Sequence, residues 1–269
     1  MAQDGRGPDF IEALSRGLDV MRAFSADHPA MSLSEVAAAT GLARPTARRI
    51  LLTLEELGYV ATARGEYRLT PRVLELGMAY IGALGLWDVA RPHLERLVAV
   101  THESSSMAQL DGSDIVYVAR VAVPKLISLR VDIGTRFPAL RTSQGKVLLA
   151  GLEPDEARRV LEAPSRSQLP PAAVVPDWPT VRDELARVRE RGWALADEEL
   201  APGVRSVAVP VRDASGRVRA AMNVTVHAAE TSVATLVEQH LPHLQEAAAA
   251  VSEDWARWQG RPLATVAPR

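Results

Sequence analysis

The chain has 269 residues, 47% of them hydrophobic, with a formal net charge of -2 and no cysteine. That length accommodates two domains, and the composition leaves no disulfide, zinc–thiolate site or cysteine nucleophile, no apolar run long enough to span a membrane and no basic-then-apolar leader, which fits a cytoplasmic protein. A chain that is acidic overall is no basic coat for nucleic acid, so any affinity for phosphate must be local.

Residues 1–8 are polar and Gly-rich and read as a flexible start. Phe10–Ala26 then carries Ile11, Leu14, Leu18, Val20 and Met21 at helical spacing, a helix expected to close the core of a first domain over 9–70. Ser32 and Glu35 have the spacing of a capping box and start a short helix with Leu33, Val36 and Ala37 on its apolar side. Gly41 stands where a C′ residue takes positive φ. Pro45 sits in the first turn of a second helix, whose Ala47, Ile50, Leu51, Leu54 and Leu57 form the buried stripe. After Gly58, Tyr59–Thr62 and Glu66–Leu69 read as two short strands around Arg64-Gly65. Cap, turn, stripe and hairpin in that order describe a winged helix-turn-helix.

A recognition helix enters the major groove with its N-terminal residues on the base edges, where Arg pairs two donors with guanine or anchors to phosphate. Ser34, Arg44, Pro45, Thr46, Arg48 and Arg49 are therefore the candidate DNA contacts, with Arg64 and Arg68 reaching phosphates from the wing. The alternative is a solvated Arg face used for protein contacts. Pro71 opens a further apolar helix, Val73, Leu74, Leu76, Met78, Tyr80, Ile81 and Leu84, expected as a linker over 71–85 that packs on its own copy in a dimer.

From residue 86 the pattern mixes helices and strands. Trp87–Val100 is amphipathic; Ser104–Leu110 and Ile115–Val121 alternate around Asp111-Gly112-Ser113; Ile127–Val131 is a further strand. Phe137-Pro138-Ala139 breaks the pattern, Gln144–Ala150 and Pro154–Leu161 read as helices, and Pro164–Trp178 as an exposed loop. Val181–Arg191 is a charged helix, followed by strands Trp193–Ala196, Ser206–Arg212 and Val218–Val226. Val233–Trp258 closes the domain as one long helix with a kink expected at Pro242. The second domain thus spans 86–259, an antiparallel sheet flanked by helices, and the chain is α+β, with a flexible tail over 260–269.

Catalytic motifs are not satisfied. Gly145-Lys146 lacks the Ser or Thr of a phosphate loop, since Val147 follows, and no serine sits in a nucleophile elbow. Ser104, Ser105 and Ser106 follow His102 and Glu103, but neighbours along a strand point to alternating faces and form no local relay. His240 and His243 with Glu238, joined by His93, make at most a weak metal pair, so no metal is expected.

Several stretches resemble the IclR family of bacterial transcriptional regulators, and within it the β-ketoadipate-pathway regulators that control aromatic-acid catabolism. They are Asp9–Phe24, the helix-turn-helix, Tyr67–Ile81, Asp111–Val121, Arg136–Ala150 and Gly192–Asp213. The last is similar to the family signature, with Gly192, Glu199, Ser206, Val207, Ala208, Val211 and Asp213 in place; Ala196 and Arg212 depart from it, and Arg141–Gln144 departs from the pathway group. The resemblance implies a winged helix, a linker helix and a GAF-like effector domain, with no cofactor. It also implies dimers, often paired into tetramers, on palindromic double-stranded operators. The effector would be a small aromatic or dicarboxylic acid, such as protocatechuate, 4-hydroxybenzoate or β-ketoadipate.

A carboxylate needs preorganised donors, and a helix start supplies free amides and a favourable dipole. Thr142, Ser143, Gln144, Gly145 and Lys146 occupy such a start. Arg120, Arg130 or Arg141 could supply a bidentate partner, and Met107, Leu129 and Trp193 could line a ring. The resemblance places the pocket over one sheet face near the signature, which adds Glu199, Ser206 and Asn223. Acid binding would then favour one packing of the effector domain and change the spacing of two recognition helices. A small-molecule enzyme or sensor that uses the winged helix for protein docking is the other reading.

Overall fold

The structure, a computed structural model, describes residues 7–25, 27–124, 131–170 and 176–259, without side chains at 79 and 81–84. It divides into two compact units between Ala83 and Leu84. All of the expected strand Ile127–Val131 except Val131, and most of both expected tails, lie outside the described residues.

The first unit holds α1 (Glu12–Ala23), β1 (Met31–Ser32), α2 (Leu33–Thr40), α3 (Arg44–Glu56), β2 (Val60–Ala63), β3 (Glu66–Leu69) and most of α4 (Val73–Leu84). Each local signal does what its chemistry dictates. The Ser32 hydroxyl accepts from the Glu35 amide at 3.3 Å, and the Glu35 carboxylate accepts from the Ser32 amide at 2.7 Å. Those bonds hold the Glu35 carboxyl below its usual value. Gly41 ends α2 with φ +65°. The wing turn is two residues with positive φ, Arg64 at 56° and Gly65 at 83°, the sign that a tight hairpin between twisted strands requires. Short β1, unforeseen from its two residues, pairs with β3, so the wing is a three-stranded sheet in the order β1-β3-β2.

Val20, Met31, Val36, Leu51, Leu54 and Val60 form the core of this unit. The stripe on α3 is narrower than expected: Ala47, Leu51 and Leu54 are buried, Ile50 half-buried and Leu57 exposed. Helix α1 departs further. Val20 is its buried residue, whereas Ile11, Leu14 and Leu18 are exposed rather than closing the core. Leu74, Leu76, Met78 and Tyr80 of α4 are exposed as well.

The second unit is built on a six-stranded antiparallel sheet in the order β6-β5-β4-β9-β8-β7. Its strands are β4 (Ser104–Asp111), β5 (Asp114–Val121), β6 (Arg136–Pro138), β7 (Ala194–Asp197), β8 (Val204–Arg212) and β9 (Val218–His227). α5 (Leu86–Thr101) and α10 (Leu241–Gln259) cover one face, over Met107, Ala119, Val207, Val209, Met222 and Val224. α6 (Ser143–Ala150), α7 (Pro154–Glu162) and α8 (Trp178–Arg191) cover the other, over Ala108, Ile115, Tyr117, Ala208 and Ala221. The two sets alternate along β4, β8 and β9, as a sheet buried on both faces requires.

Two elements correct the sequence reading. Arg136–Pro138, expected as a break, is the edge strand β6, tolerable because an edge strand leaves proline's missing donor facing no neighbour. The expected single helix from Val233 starts as α9 (Val233–Thr235), widens into a π turn at Leu236–His240 and continues as α10. Pro242 donates no hydrogen bond and crowds the carbonyl four residues back, and a wider turn just before it relieves that conflict.

Candidate functional site

In the first unit, Ala43 caps α3 with extended backbone and Pro45 occupies its first turn. Ser34, Arg44, Pro45, Arg48 and Arg49 are exposed and Thr46 is half-buried; Arg64 and Arg68 are exposed on the wing. None of these arginines forms an ion pair among the described residues. Arginines left without carboxylates on one helix end and its hairpin are what a phosphate-rich duplex neutralises. Arg72 differs. It donates to Leu57 O at 2.8 Å and lies 5.3 Å from the Tyr59 ring centroid, closing the end of α3. The wing is braced from the same helix, since Thr62 N donates to Glu55 Oε1 at 3.1 Å.

The second unit contains a cleft between the N-terminus of α6 and the sheet. It is lined by Tyr117, Arg120, Val131, Arg141, Thr142, Ser143, Ala196, Leu200, Val204, Ser206, Asn223 and Thr225, around a cavity of about 30 Å³ that is partly open to solvent. That is room for about two water molecules, so a ring-sized ligand requires the walls to part. Its floor is two cross-strand rows. Arg120, Ser106, Asn223 and Ala208 align across β5, β4, β9 and β8, and Ser104, Thr225, Ser206 and Ala196 align beside them across β4, β9, β8 and β7.

A β-bulge brings Arg120 to this floor. Register shifts between Met107 and Ala108, so Ala119 faces Met107 while Tyr117 faces Ala108 and Val118 is the extra residue. Val118 and Ala119 consequently share the α5–α10 face, and Tyr117 and Arg120 share the other. Without the bulge, strict alternation would send Arg120 away from Tyr117. Arg120 donates from Nη1 to Ser106 Oγ at 2.9 Å and forms no ion pair among the described residues. Burial lowers its pKa from the ordinary value, yet a guanidinium stays charged. Burial pushes the Tyr117 phenol up to about 12, so it stands neutral. Among the described residues, no Asp or Glu lines the cleft.

The roof is the start of α6. The Thr142 hydroxyl accepts from the Gly145 amide at 3.0 Å, which leaves the first two amides, of Ser143 and Gln144, without an intrahelical partner. Ser143 Oγ and Ser206 Oγ meet at 2.7 Å and join roof to floor.

The structure thus gathers Arg120, Arg141, Thr142, Ser143, Ser206 and Asn223 around one cavity. Other expected residues serve elsewhere. Met107 is buried on the opposite sheet face, as its strand parity dictates. Gln144 is a brace: its amide donates to Ser106 O at 3.1 Å and to Ala221 O at 3.0 Å, pinning α6 to β4 and β9. Gly145 admits backbone rather than ligand, because an added Cβ would overlap the Ala139 main chain. Lys146 is engaged by Glu199 at 2.6 Å and Glu184 at 2.9 Å, which also takes the Glu199 carboxylate out of the cavity. Trp193 packs toward the α5–α10 face with the Arg191 guanidinium 4.1 Å from its ring centroid. Arg130 and Leu129 lie outside the described residues. Tyr117, Val131, Leu200, Val204 and Thr225 line the cleft unforeseen. The polar alternation of Ser104, Ser106, Asn223 and Thr225, on strands otherwise apolar toward that face, was the available signal.

The family models for the IclR helix-turn-helix domain and the bacterial transcriptional regulator IclR C-terminal domain match residues 13–64 and 78–253. The chain belongs to the IclR family. It is a DNA-binding transcriptional regulator. Among its relatives, the Pca regulon regulatory protein of Pseudomonas putida is 38% identical over 240 residues, covering 88% of this chain and 81% of the relative. The p-hydroxybenzoate hydroxylase transcriptional activator of Acinetobacter baylyi is 34% identical, covering 92% and 93%. The crystal structure of an IclR homologue from Microbacterium hydrocarbonoxydans complexed with 4-hydroxybenzoate superposes with a TM-score of 0.78 at 28% identity, covering 91% of this chain and 99% of that one. This IclR-family chain accordingly groups with the aromatic-acid regulators. No described helix is long and apolar enough to cross a membrane.

Proposed function

We propose that this IclR-family regulator senses a small aromatic acid in the cleft under α6 and couples its binding to operator affinity. The carrying observation is a cavity that, among the described residues, is lined by no carboxylate and holds the charged Arg120 guanidinium beside a helix N-terminus. Arg120 is half-buried and feels the charge of Asp132, and a ligand carboxylate would be its close, hydrogen-bonding partner. Ser106 orients the guanidinium, the Ser143 and Gln144 amides supply the dipole end, and Tyr117, Leu200 and Val204 flank the ring. The relative solved with 4-hydroxybenzoate and the relatives named for p-hydroxybenzoate and Pca regulation support the choice of ligand class.

Residues 9–70 read DNA, 71–85 link and 86–259 sense, with Ser34, Arg44, Pro45, Thr46, Arg48 and Arg49 on the groove and Arg64 and Arg68 on phosphates. Two copies meet a palindromic operator, and the exposed apolar residues of α1 and α4 supply surface for self-association. A non-enzymatic role fits the serine run: Ser105 Oγ donates to Asn223 O at 2.7 Å, Ser104 Oγ accepts from Val123 N at 3.0 Å, and Ser106 Oγ accepts from Arg120, so none faces a histidine base.

The test is calorimetry of the purified protein with 4-hydroxybenzoate, protocatechuate and β-ketoadipate, followed by a footprint upstream of its own gene with and without the binder. Selective binding that changes the footprint is expected. Equal operator affinity with and without every acid would sink the coupling.

A further inference from the structure

Lys146 is among the most enclosed cations of the described residues. Its side chain is 6% exposed, it lies one turn into α6, and it does not line the cleft. Its three donors are all engaged: Glu199 Oε1 at 2.6 Å, Glu184 Oε1 at 2.9 Å and Leu195 O at 3.3 Å. Those partners belong to three different elements, the β7–β8 loop, α8 and β7.

The β7–β8 loop forms part of the cleft's wall: Leu200 lies within it and Val204 opens β8 directly after it. The loop closes on itself. Glu198 N donates to Val204 O at 2.9 Å, and Gly203 N donates to Glu198 Oε2 at 2.8 Å. Glu198 adopts φ +57°, a conformation that L side chains occupy at a cost of roughly 1 kcal/mol or more. Such a loop keeps its place only if something outside it holds it there. Two cations do. Arg141 takes the backbone, donating from Nε to Glu199 O at 3.1 Å and from Nη2 to Leu200 O at 2.8 Å. Lys146 takes the Glu199 side chain.

We infer that Lys146 is a positioning residue for the effector cleft: through Glu199 it latches the 198–204 wall against α6, and the latch sets how fast a bound effector escapes. The inference rests on the sensing role of this cleft. It separates two carboxylates that look alike. Glu199 joins Lys146 to the wall; Glu184 joins it to α8, which contributes nothing to the cleft lining.

The experiment compares Lys146→Met, Glu199→Gln and Glu184→Gln in the full-length protein. Two quantities are read: amide hydrogen exchange of 198–204 against 206–211 in the ligand-free protein, and the dissociation rate of 4-hydroxybenzoate. Loss of a charge-assisted contact of about 1.4 kcal/mol corresponds to about tenfold. Exchange at 198–204 should rise about tenfold in Lys146→Met and Glu199→Gln while 206–211 stays protected, and the effector should dissociate faster by a similar factor. Glu184→Gln should leave both unchanged. Unchanged exchange at 198–204 in Glu199→Gln overturns the latch, as does an equal response to Glu184→Gln. If the wild-type protein binds none of the acids, the sensing reading fails, and the exchange pattern alone still decides the latch.

Discussion

Replacing Gly145 by Ala tests the roof of the cleft through one carbon atom. Gly145 is fully enclosed in α6, and a Cβ there would overlap the Cα, carbonyl carbon and oxygen of Ala139, all backbone atoms of the preceding 3-10 turn. Two effects oppose each other. Ala gains about 1 kcal/mol over Gly in helix propensity. Overpacking costs about 1–3 kcal/mol, toward the upper end when the obstructing atoms are main chain and cannot change rotamer. The clash therefore wins by about 2 kcal/mol, which lowers the melting temperature of a unit this size by roughly 4–8 °C. Relief requires α6 to shift from the Ala139–Thr142 turn, which strains the Thr142 cap at the Gly145 amide and the Ser143–Ser206 contact. Effector affinity should fall along with stability. The assay is thermal unfolding followed by calorimetric titration with the best-binding acid. A variant as stable as wild type, or more so, with unchanged affinity would refute both the close approach and the role given to the start of α6.

Arg120→Met, which keeps the stem and removes the charge, should abolish measurable binding of aromatic acids at concentrations that saturate the wild type, while leaving operator binding by the free protein intact; equal affinity by calorimetry would remove Arg120 from the site. Arg48→Ala should weaken operator binding and blunt its sequence preference, read by competition among operator variants. Arg64→Gly relieves a positive φ and removes a charge, so the winged unit should be no less stable while the salt slope of DNA binding falls by about 1. Finally, the Asp254 carboxyl is held below its ordinary value by hydrogen bonds from His93, at 2.8 Å, and from Arg257. A depressed folded pKa adds stability above the unfolded value near 4 that is lost as pH falls through the folded value. Asp254→Asn should flatten the decline of melting temperature between about pH 5 and pH 2; a decline as steep as the wild type's would show that this pair carries no linkage.

Local signals were legible because their physics is local. The Ser32–Glu35 box, Gly41, Pro45 and the Arg64-Gly65 turn each depend on a few adjacent residues, so spacing alone placed the winged helix and its arginine face. Period-two alternation likewise gave five of the six strands of the second unit, all but the short edge strand β6. Parity across the sheet was less legible. Val118 adds one residue to β5 against β4, and that single insertion reverses the face of everything after it. No pattern within 115–121 marks the bulge, because its cause is the register with β4.

The sequence by itself determined that this chain carries a winged helix-turn-helix, an α+β second domain and a helix start at Thr142. Only the tertiary structure decided which polar residues share a cavity. It put Arg120, Ser206 and Asn223 with Thr142 and Ser143, and it assigned Gln144 and Lys146, on the same helix start, to bracing and latching. The physical reason is that a side chain's role is fixed by what faces it. The facing groups here come from strands far apart in the chain, Ser106 and Asn223 by 117 residues, and their meeting is set by sheet order and register rather than by any spacing along the chain.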